Sequence, residues 1–185
     1  MRIITGKAKG KVLVAPAGLE TRPTLDRVKE ALFGSIQFDL EGADVLDLFS
    51  GSGNIGLEAA SRGARTAVLN DRNAEAISCI RRNTETTGLS DQVEILQKDF
   101  REAVRFLAER GDRFDFVFID APFRTGLAAE AAEMVFAEGV VKPGGSVFVE
   151  HASNDVPAFV PGSYEIRKTR KYGASSYSLL KRSNE

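Results

Sequence analysis

The chain has 185 residues, enough for one domain with a small appendage, and its 43% hydrophobic content can build a substantial core. No apolar run is long enough to span a bilayer, the N-terminus lacks the apolar stretch of a secretion signal, and the single cysteine, Cys79, rules out an internal disulfide or a multi-cysteine metal site. The net charge of −1 is spread unevenly, with +4 over residues 1–30, −9 over 31–159 and +5 over 160–182, so a polyanionic partner would be met by the two ends. Lysines and arginines that only solvate loops would give the same distribution. The expectation is a soluble cytoplasmic protein with no metal, a single domain over 1–185 with 1–20 as an N-terminal hairpin extension.

In chain order, residues 2–14 read as a β-hairpin. Arg2-Ile3-Ile4 and Lys11-Val12-Leu13-Val14 flank a turn rich in glycine and lysine, Gly6, Lys7, Lys9 and Gly10. A helix is expected from Leu25 to about Gln37, with Thr24 as N-cap, Asp26 suited to the helix start, and Val28, Leu32 and Ile36 on one face. Arg22 and Arg27 stand where they can meet a phosphate or a ligand carboxylate.

Val45–Phe49 reads as the first strand of the main sheet and Ile55–Arg62 as the helix after it. The glycines between and within them, Gly51, Gly53 and Gly56, fit G-x-G-x-x-G. Such glycines serve a tight turn, close approach of backbone to ligand, and close helix-to-strand contact, and the new helix offers free N–H groups. Asp47 lies on the strand four residues before Gly51. A carboxylate there would repel a dinucleotide's pyrophosphate but suits a ligand with a positive or amino-bearing end, of which S-adenosylmethionine is one. A capping aspartate in an unrelated strand-to-helix turn would look the same. Ala64–Asn70 is a second strand and runs into Asp71, twenty residues past Gly51, where a carboxylate can accept hydrogen bonds from ribose hydroxyls. Nicotinamide enzymes share that placement, so Asp71 supports a nucleoside without choosing which. Phe49, Asn54 and Arg72 complete the expected cofactor set on this side.

Asn73–Thr87 is expected to be a helix with Ala76, Ile77, Ile80 and the aliphatic part of Arg81 on its apolar face, Cys79 packed as a small side chain, and Gly88 as its stop. Val93–Leu96 is a third strand. Asp99 and Phe100 then offer an amino-group acceptor and a ring face for an adenine; Asp99 can equally cap the helix Arg101–Arg110. Phe114–Ile119 is strongly apolar, as expected of a strand near a sheet centre, and it ends in Asp120-Ala121-Pro122-Phe123. A helix over 126–137, a Lys142-Pro143-Gly144-Gly145 turn and a strand Ser146–Glu150 follow. His151, the one histidine, reads as incidental. After a loop from Asn154 to Gly162, strands Tyr164–Lys168 and Ser175–Leu180 are joined by a basic turn, Arg170-Lys171-Tyr172-Gly173.

The alternation predicts a Rossmann-like α/β fold, a mostly parallel sheet covered on both faces with an antiparallel C-terminal edge. Ligands of such sheets bind beyond the carboxyl ends of the strands. Asp47, Asp71 and Asp99 are therefore expected at a cofactor and Asp120 at a substrate.

Four segments carry a resemblance over nearly the whole length: Met1–Gly6, Thr21–Phe33, Asp47–Gly53 and Arg170–Gly173. With them the chain resembles the RsmD family of bacterial small-subunit (16S) ribosomal RNA guanine-N2 methyltransferases. The resemblance implies S-adenosylmethionine as cofactor, transfer of a methyl group to the exocyclic amine of a guanine, and a basic N-terminal extension facing RNA. Lys7, Lys9, Lys11, Arg22, Arg27, Arg170 and Lys171 are then the expected RNA contacts, and 16S rRNA or the small subunit the partner. The family signature is Asp-Pro-Pro-Tyr or Asp-Pro-Pro-Phe, and Ala121 departs from it. A guanine amine is a poor nucleophile because its lone pair is delocalised into the ring. Asp120 and the Ala121 carbonyl would accept its two protons, and Phe123 would stack on the base. Pro122 still holds Ala121 away from helical angles, and the lost ring removes about 0.4–1 kcal/mol of preorganisation.

Three other readings stay open at this point. A methyltransferase of adenine N6 or of a protein amide uses a related Asn-Pro-Pro-Tyr motif. A nicotinamide oxidoreductase would share the glycine loop and Asp71 but leave Asp47 and Asp120–Phe123 unexplained. A non-catalytic RNA-binding assembly factor would account for Ala121.

Overall fold

The computed structural model describes residues 1–17, 23–160, 162 and 164–183. They form two compact units, Met1–Lys98 and Asp99–Glu185.

The first unit contains α1 (Pro23–Gly34), β1 (Asp44–Asp47), α2 (Asn54–Ser61), β2 (Thr66–Asn70), α3 (Ala74–Thr87) and β3 (Val93–Leu96). Its strands are parallel in the order β3-β2-β1, with Val45 opposite Ala67 and Val68 opposite Glu94. All four residues of β1 are buried, so adjacent Val45 and Leu46 both face protein where an alternating pattern would mark a solvated face. Gly56 lets α2 lie directly on β2: a Cβ there would come within 2.5 Å of the Leu69 side chain.

Two expectations about helices are corrected. Helix α1 begins at Pro23, so Thr24 lies inside it and is not its cap; a proline fits the first helical turn because its missing N–H has no partner there anyway. On α3, Ala76, Ile77 and Ile80 are buried as expected, but Arg81 is exposed. Asn83, Thr84 and Thr87 complete the buried face, the threonines by returning their hydroxyls to the carbonyls of Ile80 and Asn83. Cys79 is half-buried.

The N-terminal segment is built into the first unit. The antiparallel pairing expected for residues 2–14 is reduced to one bridge, Arg2 to Val12, supported by Ile3 N–H to Lys11 O at 2.9 Å and Leu13 N–H to Met1 O at 3.0 Å. Ile3, Ala8 and Leu13 are buried in one cluster with Leu57, Leu69, Ile77 and Ile80. Each large apolar side chain so buried contributes about 1.5–3 kcal/mol. Gly6, at φ 88°, passes so close to α2 that a Cβ would fall 1.8 Å from the Ser61 carbonyl oxygen.

A buried ion group fastens this segment. Glu58 on α2 is fully buried and accepts the N–H groups of Ile4 (2.8 Å) and Thr5 (3.0 Å). Lys29 and Arg62 flank it at 3.0 and 2.8 Å. Lys29 also donates to the Arg2 carbonyl at 2.6 Å and to Asn54 Oδ1 at 2.7 Å, so its ammonium is well satisfied despite 1% exposure. Burial still pulls its pKa below the usual lysine range, against the pull of Glu58.

The second unit contains α4 (Phe100–Arg110), β4 (Phe114–Ile119), α5 (Leu127–Ala137), β5 (Val141–Ala152), β6 (Tyr164–Tyr172) and β7 (Ser175–Arg182). Strands β4 and β5 are parallel, β7 runs antiparallel to both β5 and β6, and the order is β4-β5-β7-β6. The expected turn at Lys142–Gly145 is instead an irregularity within β5: its pairing with β4 jumps from Phe114–Val141 to Phe116–Ser146. The basic turn is likewise shorter than expected. Arg170 and Lys171 belong to β6, and the chain reverses only at residues 173 and 174, with Gly173 at φ 66°. Exposed Arg167, Lys168, Arg170 and Lys171 put charge on this edge strand, which discourages further strand pairing. His151 is buried, with Nδ1 2.9 Å from the Ala152 carbonyl oxygen and Nε2 2.9 Å from Ser178 Oγ. Among the described residues no helix is long and apolar enough to cross a membrane.

Candidate active site

In the first unit the loop leaving β1 is held from four sides. Gly51 adopts φ 55° and Gly53 φ 80°, the left-handed region that glycine enters without a Cβ clash. Gly51 N–H donates to Asp71 Oδ2 at 2.9 Å, Ser50 N–H to the Asn70 carbonyl at 2.9 Å, and Gly53 N–H to the Ser50 carbonyl at 2.7 Å. Asn83 reaches across from α3 and donates to the Ser52 carbonyl at 2.8 Å while also pairing with both backbone groups of Val14. Lys29 ties down Asn54.

Asp47 has a different part from the one its position suggested. It is 2% exposed, and its Oδ2 accepts the Gly56 N–H at 2.9 Å. That N–H is one of the donors a helix leaves unpaired in its first turn, and α2 has no side-chain cap of its own at Gly53. The carboxylate thus shapes the loop and presents no open charge. Burial pushes its pKa up to about 7, partly offset by the Gly56 bond.

Asp71, half-buried, clamps Gly51 with one oxygen and accepts Asn73 N–H with the other at 2.9 Å. Each oxygen has a second lone pair, so ribose hydroxyls can still be accepted. Beside it, Asn70 donates through Nδ2 to the carbonyls of Leu48 and Lys98, both at 3.1 Å, which fixes the orientation of the amide. Its Oδ1 is buried with no partner among the described residues. A buried acceptor left unsatisfied costs about 1–3 kcal/mol, and this one, on the last residue of β2, is suited to a hydroxyl or amino donor of a nucleoside. The residues of this loop therefore fit S-adenosylmethionine. Gly53 corrects one detail: a Cβ there would meet Leu69 at 3.0 Å and Leu57 at 3.2 Å, so packing and the turn account for it. Phe49 is half-buried and Arg72 exposed.

In the second unit, Asp99 caps α4 by accepting Arg101 N–H at 3.0 Å. Phe100 is buried, and the Arg101 guanidinium lies 4.4 Å from its ring centroid, so one ring face is already covered. The capping role of Asp99 is on view, whereas Phe100 offers little open face to an adenine.

Asp120 follows the last residue of β4 and is exposed. Ala121 is buried at 2% exposure, and the Phe123 ring is 43% exposed. Ala121, Pro122 and Phe123 line a cavity of about 750 Å³ whose far side is formed by the end of β5 and the loop after it. Arg124, in the same lining, adopts φ 61°, a conformation side chains other than glycine rarely take. The structure thus brings Asp47, Gly51, Gly53, Asn54 and Asp71 together in one unit and Ala121–Phe123 together in the other.

Of the expected RNA contacts, Lys9, Lys11, Arg27, Arg170 and Lys171 are exposed. Lys7 is exposed too, but its ammonium is engaged by Gln92 Oε1. Arg22 lies outside the described residues. Sequence reasoning missed Lys29, Glu58, Asn70 and Asn83. Two carried a readable signal: Glu58 interrupts the apolar run Leu57–Ala60, and Asn83 falls three residues after Ile80 on the apolar face of α3.

The family model described as conserved hypothetical protein 95 matches residues 1–181. The ribosomal RNA small subunit methyltransferase D of Escherichia coli K12 is 32% identical over 183 residues, 98% of this chain and 90% of that protein. The chain belongs to this RsmD-like family. The solved structure of yhhF from Escherichia coli superposes with a TM-score of 0.84 at 30% identity, covering 100% of this chain and 99% of that one. A hypothetical protein of Thermus thermophilus gives a TM-score of 0.82 at 29% identity, covering 97% and 98%. Family and fold together support a methyltransferase dependent on S-adenosylmethionine, on the Rossmann-like architecture expected from the alternation of elements.

Proposed function

We propose that the chain methylates the exocyclic N2 amine of a guanine in the 16S rRNA of the small ribosomal subunit. The observation that carries this reading is the turn Asp120-Ala121-Pro122-Phe123: it leaves the carboxyl end of a buried parallel strand with an exposed carboxylate, and its Ala121, Pro122 and open Phe123 ring line a cavity. The name of the Escherichia coli relative supports the RNA class.

S-adenosylmethionine, when bound, supplies a methyl group on a positively charged sulfur, an electrophile that needs no further activation. Asp71, with Gly51 beside it, would hold its ribose, and the buried Asn70 Oδ1 would accept one of its donors. Asp47 acts through the loop it caps. The chain's remaining work is alignment. Asp120 and the Ala121 carbonyl accept the two amine hydrogens and turn the lone pair toward the incoming methyl. Phe123 replaces the stacking that the base loses on leaving its helix. Ala121 preserves this arrangement because the acceptor is a backbone carbonyl, which any residue provides. Exposed Lys9, Lys11, Arg27, Arg170 and Lys171 supply positive charge for phosphates.

The test is transfer of a radiolabelled methyl group to naked 16S rRNA and to small subunits from cells lacking this protein, followed by nucleoside analysis. Label in N2-methylguanosine is expected. Label in N6-methyladenosine or in protein moves the substrate to another class, and no label on either particle leaves a non-catalytic assembly factor.

A further inference from the structure

The cavity beside Ala121 holds a group that methyl transfer itself does not use. Glu150, near the end of β5, lines it and is only 5% exposed. The Tyr177 hydroxyl, from the facing position on β7, donates to its Oε2 at 2.6 Å. That bond pins the carboxylate and uses part of its acceptor capacity; a carboxylate has four lone-pair positions. The neighbouring His151 is not available to a ligand, since both ring nitrogens lie within hydrogen-bond distance of Ala152 O and Ser178 Oγ. Asp155, the other carboxylate of the lining, is exposed, so water competes for it.

We propose that Glu150 is a specificity residue that reads the N1–H of the target guanine; this rests on the guanine reading above. On the Watson–Crick edge of guanine, N1–H stands next to the amine. Adenine offers a bare nitrogen at N1, and a buried carboxylate set against that lone pair would be repelled and gain no partner. A pinned, desolvated acceptor therefore rejects adenine far better than an exposed one does. Phe123 grips either purine by its face; Glu150 tells them apart.

The experiment titrates the full-length, isotopically labelled protein, saturated with S-adenosylhomocysteine, with guanosine, inosine and adenosine 5′-monophosphates, reading chemical shifts of cavity residues by NMR. Inosine keeps N1–H and lacks the amine, so it isolates Glu150 from Asp120. Guanosine and inosine monophosphates are expected to bind about tenfold tighter than adenosine monophosphate. Glu150→Gln keeps the size and the Tyr177 bond but adds a donor, and should bring the three within roughly twofold. Tyr177→Phe should lower the ratio by a smaller factor. Equal binding of inosine and adenosine monophosphates to wild type, an unchanged ratio in Glu150→Gln, or no shift at the cavity would each overturn the proposal. If N2-methylguanosine forms in the transfer assay while Glu150→Gln discriminates as wild type does, this inference falls alone. If the methyl group goes to adenine, the guanine reading falls with it.

Discussion

The loop after β1 and the loop after β4 begin alike and end differently. Each leaves the carboxyl end of a parallel strand, and each starts its helix from a glycine in the left-handed region, Gly53 at φ 80° and Gly126 at φ 76°, with no side-chain cap bond. The first is then bound by Asp47, Asp71, Asn83 and, through Asn54, Lys29. The second is braced locally by Thr125, whose hydroxyl donates to the Pro122 carbonyl at 2.7 Å. It also retains the unusual backbone of Arg124 and leaves Phe123 open to solvent. The contrast matches two tasks. On the function proposed above, a small cofactor of fixed shape is met by a rigid cradle, and a base arriving on a large RNA by a more open surface.

Substitutions can break that contrast. The largest effect is expected at the open loop. Asp120→Ala should lower methyl transfer by about 10²-fold or more and leave cofactor affinity by calorimetry unchanged, because on the proposed function it removes one acceptor of the amine. Parallel loss of affinity and turnover would mean the two loops are not separate in function. In the first unit, Glu58→Ala strands Lys29 and Arg62 without their partner and should cost about 3–5 kcal/mol of stability in denaturant unfolding. A cost under about 1 kcal/mol would show that the N-terminal segment is not held by this group. Asp71→Ala removes the acceptor of Gly51 N–H and of Asn73 N–H, and cofactor affinity should fall about tenfold, in keeping with about 1–2 kcal/mol for such bonds. Unchanged affinity would take Asp71 out of the cradle.

The smallest effect sharpens the role of Asp47. Its folded pKa is raised from 3.8 to about 7, so between those values the folded state holds a proton that the unfolded state has released. Its contribution to stability is therefore full below about pH 4 and is lost as pH rises through about 7. Asp47→Asn can still accept from Gly56 N–H without titrating. The stability difference between variant and wild type should shift in favour of the variant from about pH 5 to about pH 8, and a difference independent of pH would mean the carboxylate is not buried as described.

The elements that carry long apolar runs were legible in the sequence. Val93–Leu96 and Phe114–Ile119 have the predicted bounds, and the glycine spacing located the loop on which the first unit turns. What escaped was the use of polar groups in the interior. Asp47 looked like a ligand contact because a strand-end carboxylate before a glycine loop has that meaning in general; only the folded chain shows its oxygen taken up by Gly56. The apolar run around Glu58 hints that it is buried, but Lys29 is far away in sequence and nothing local names it as the partner. The turn at Lys142–Gly145 failed for a related reason: proline and glycine do mark a break, but a strand pairing on either side can absorb it as a bulge.

The distance along the chain between Glu58 and the amides it accepts has a bearing on how the molecule assembles. Ile4 waits 54 residues for its partner, and Val14 waits 69 residues for Asn83. During synthesis this segment therefore remains unattached until α2 and α3 have followed it out, and closing such long loops is slow. The segment that carries Ile4 and Val14 is thus a late arrival in folding, and its docking reports that α2 and α3 are in place.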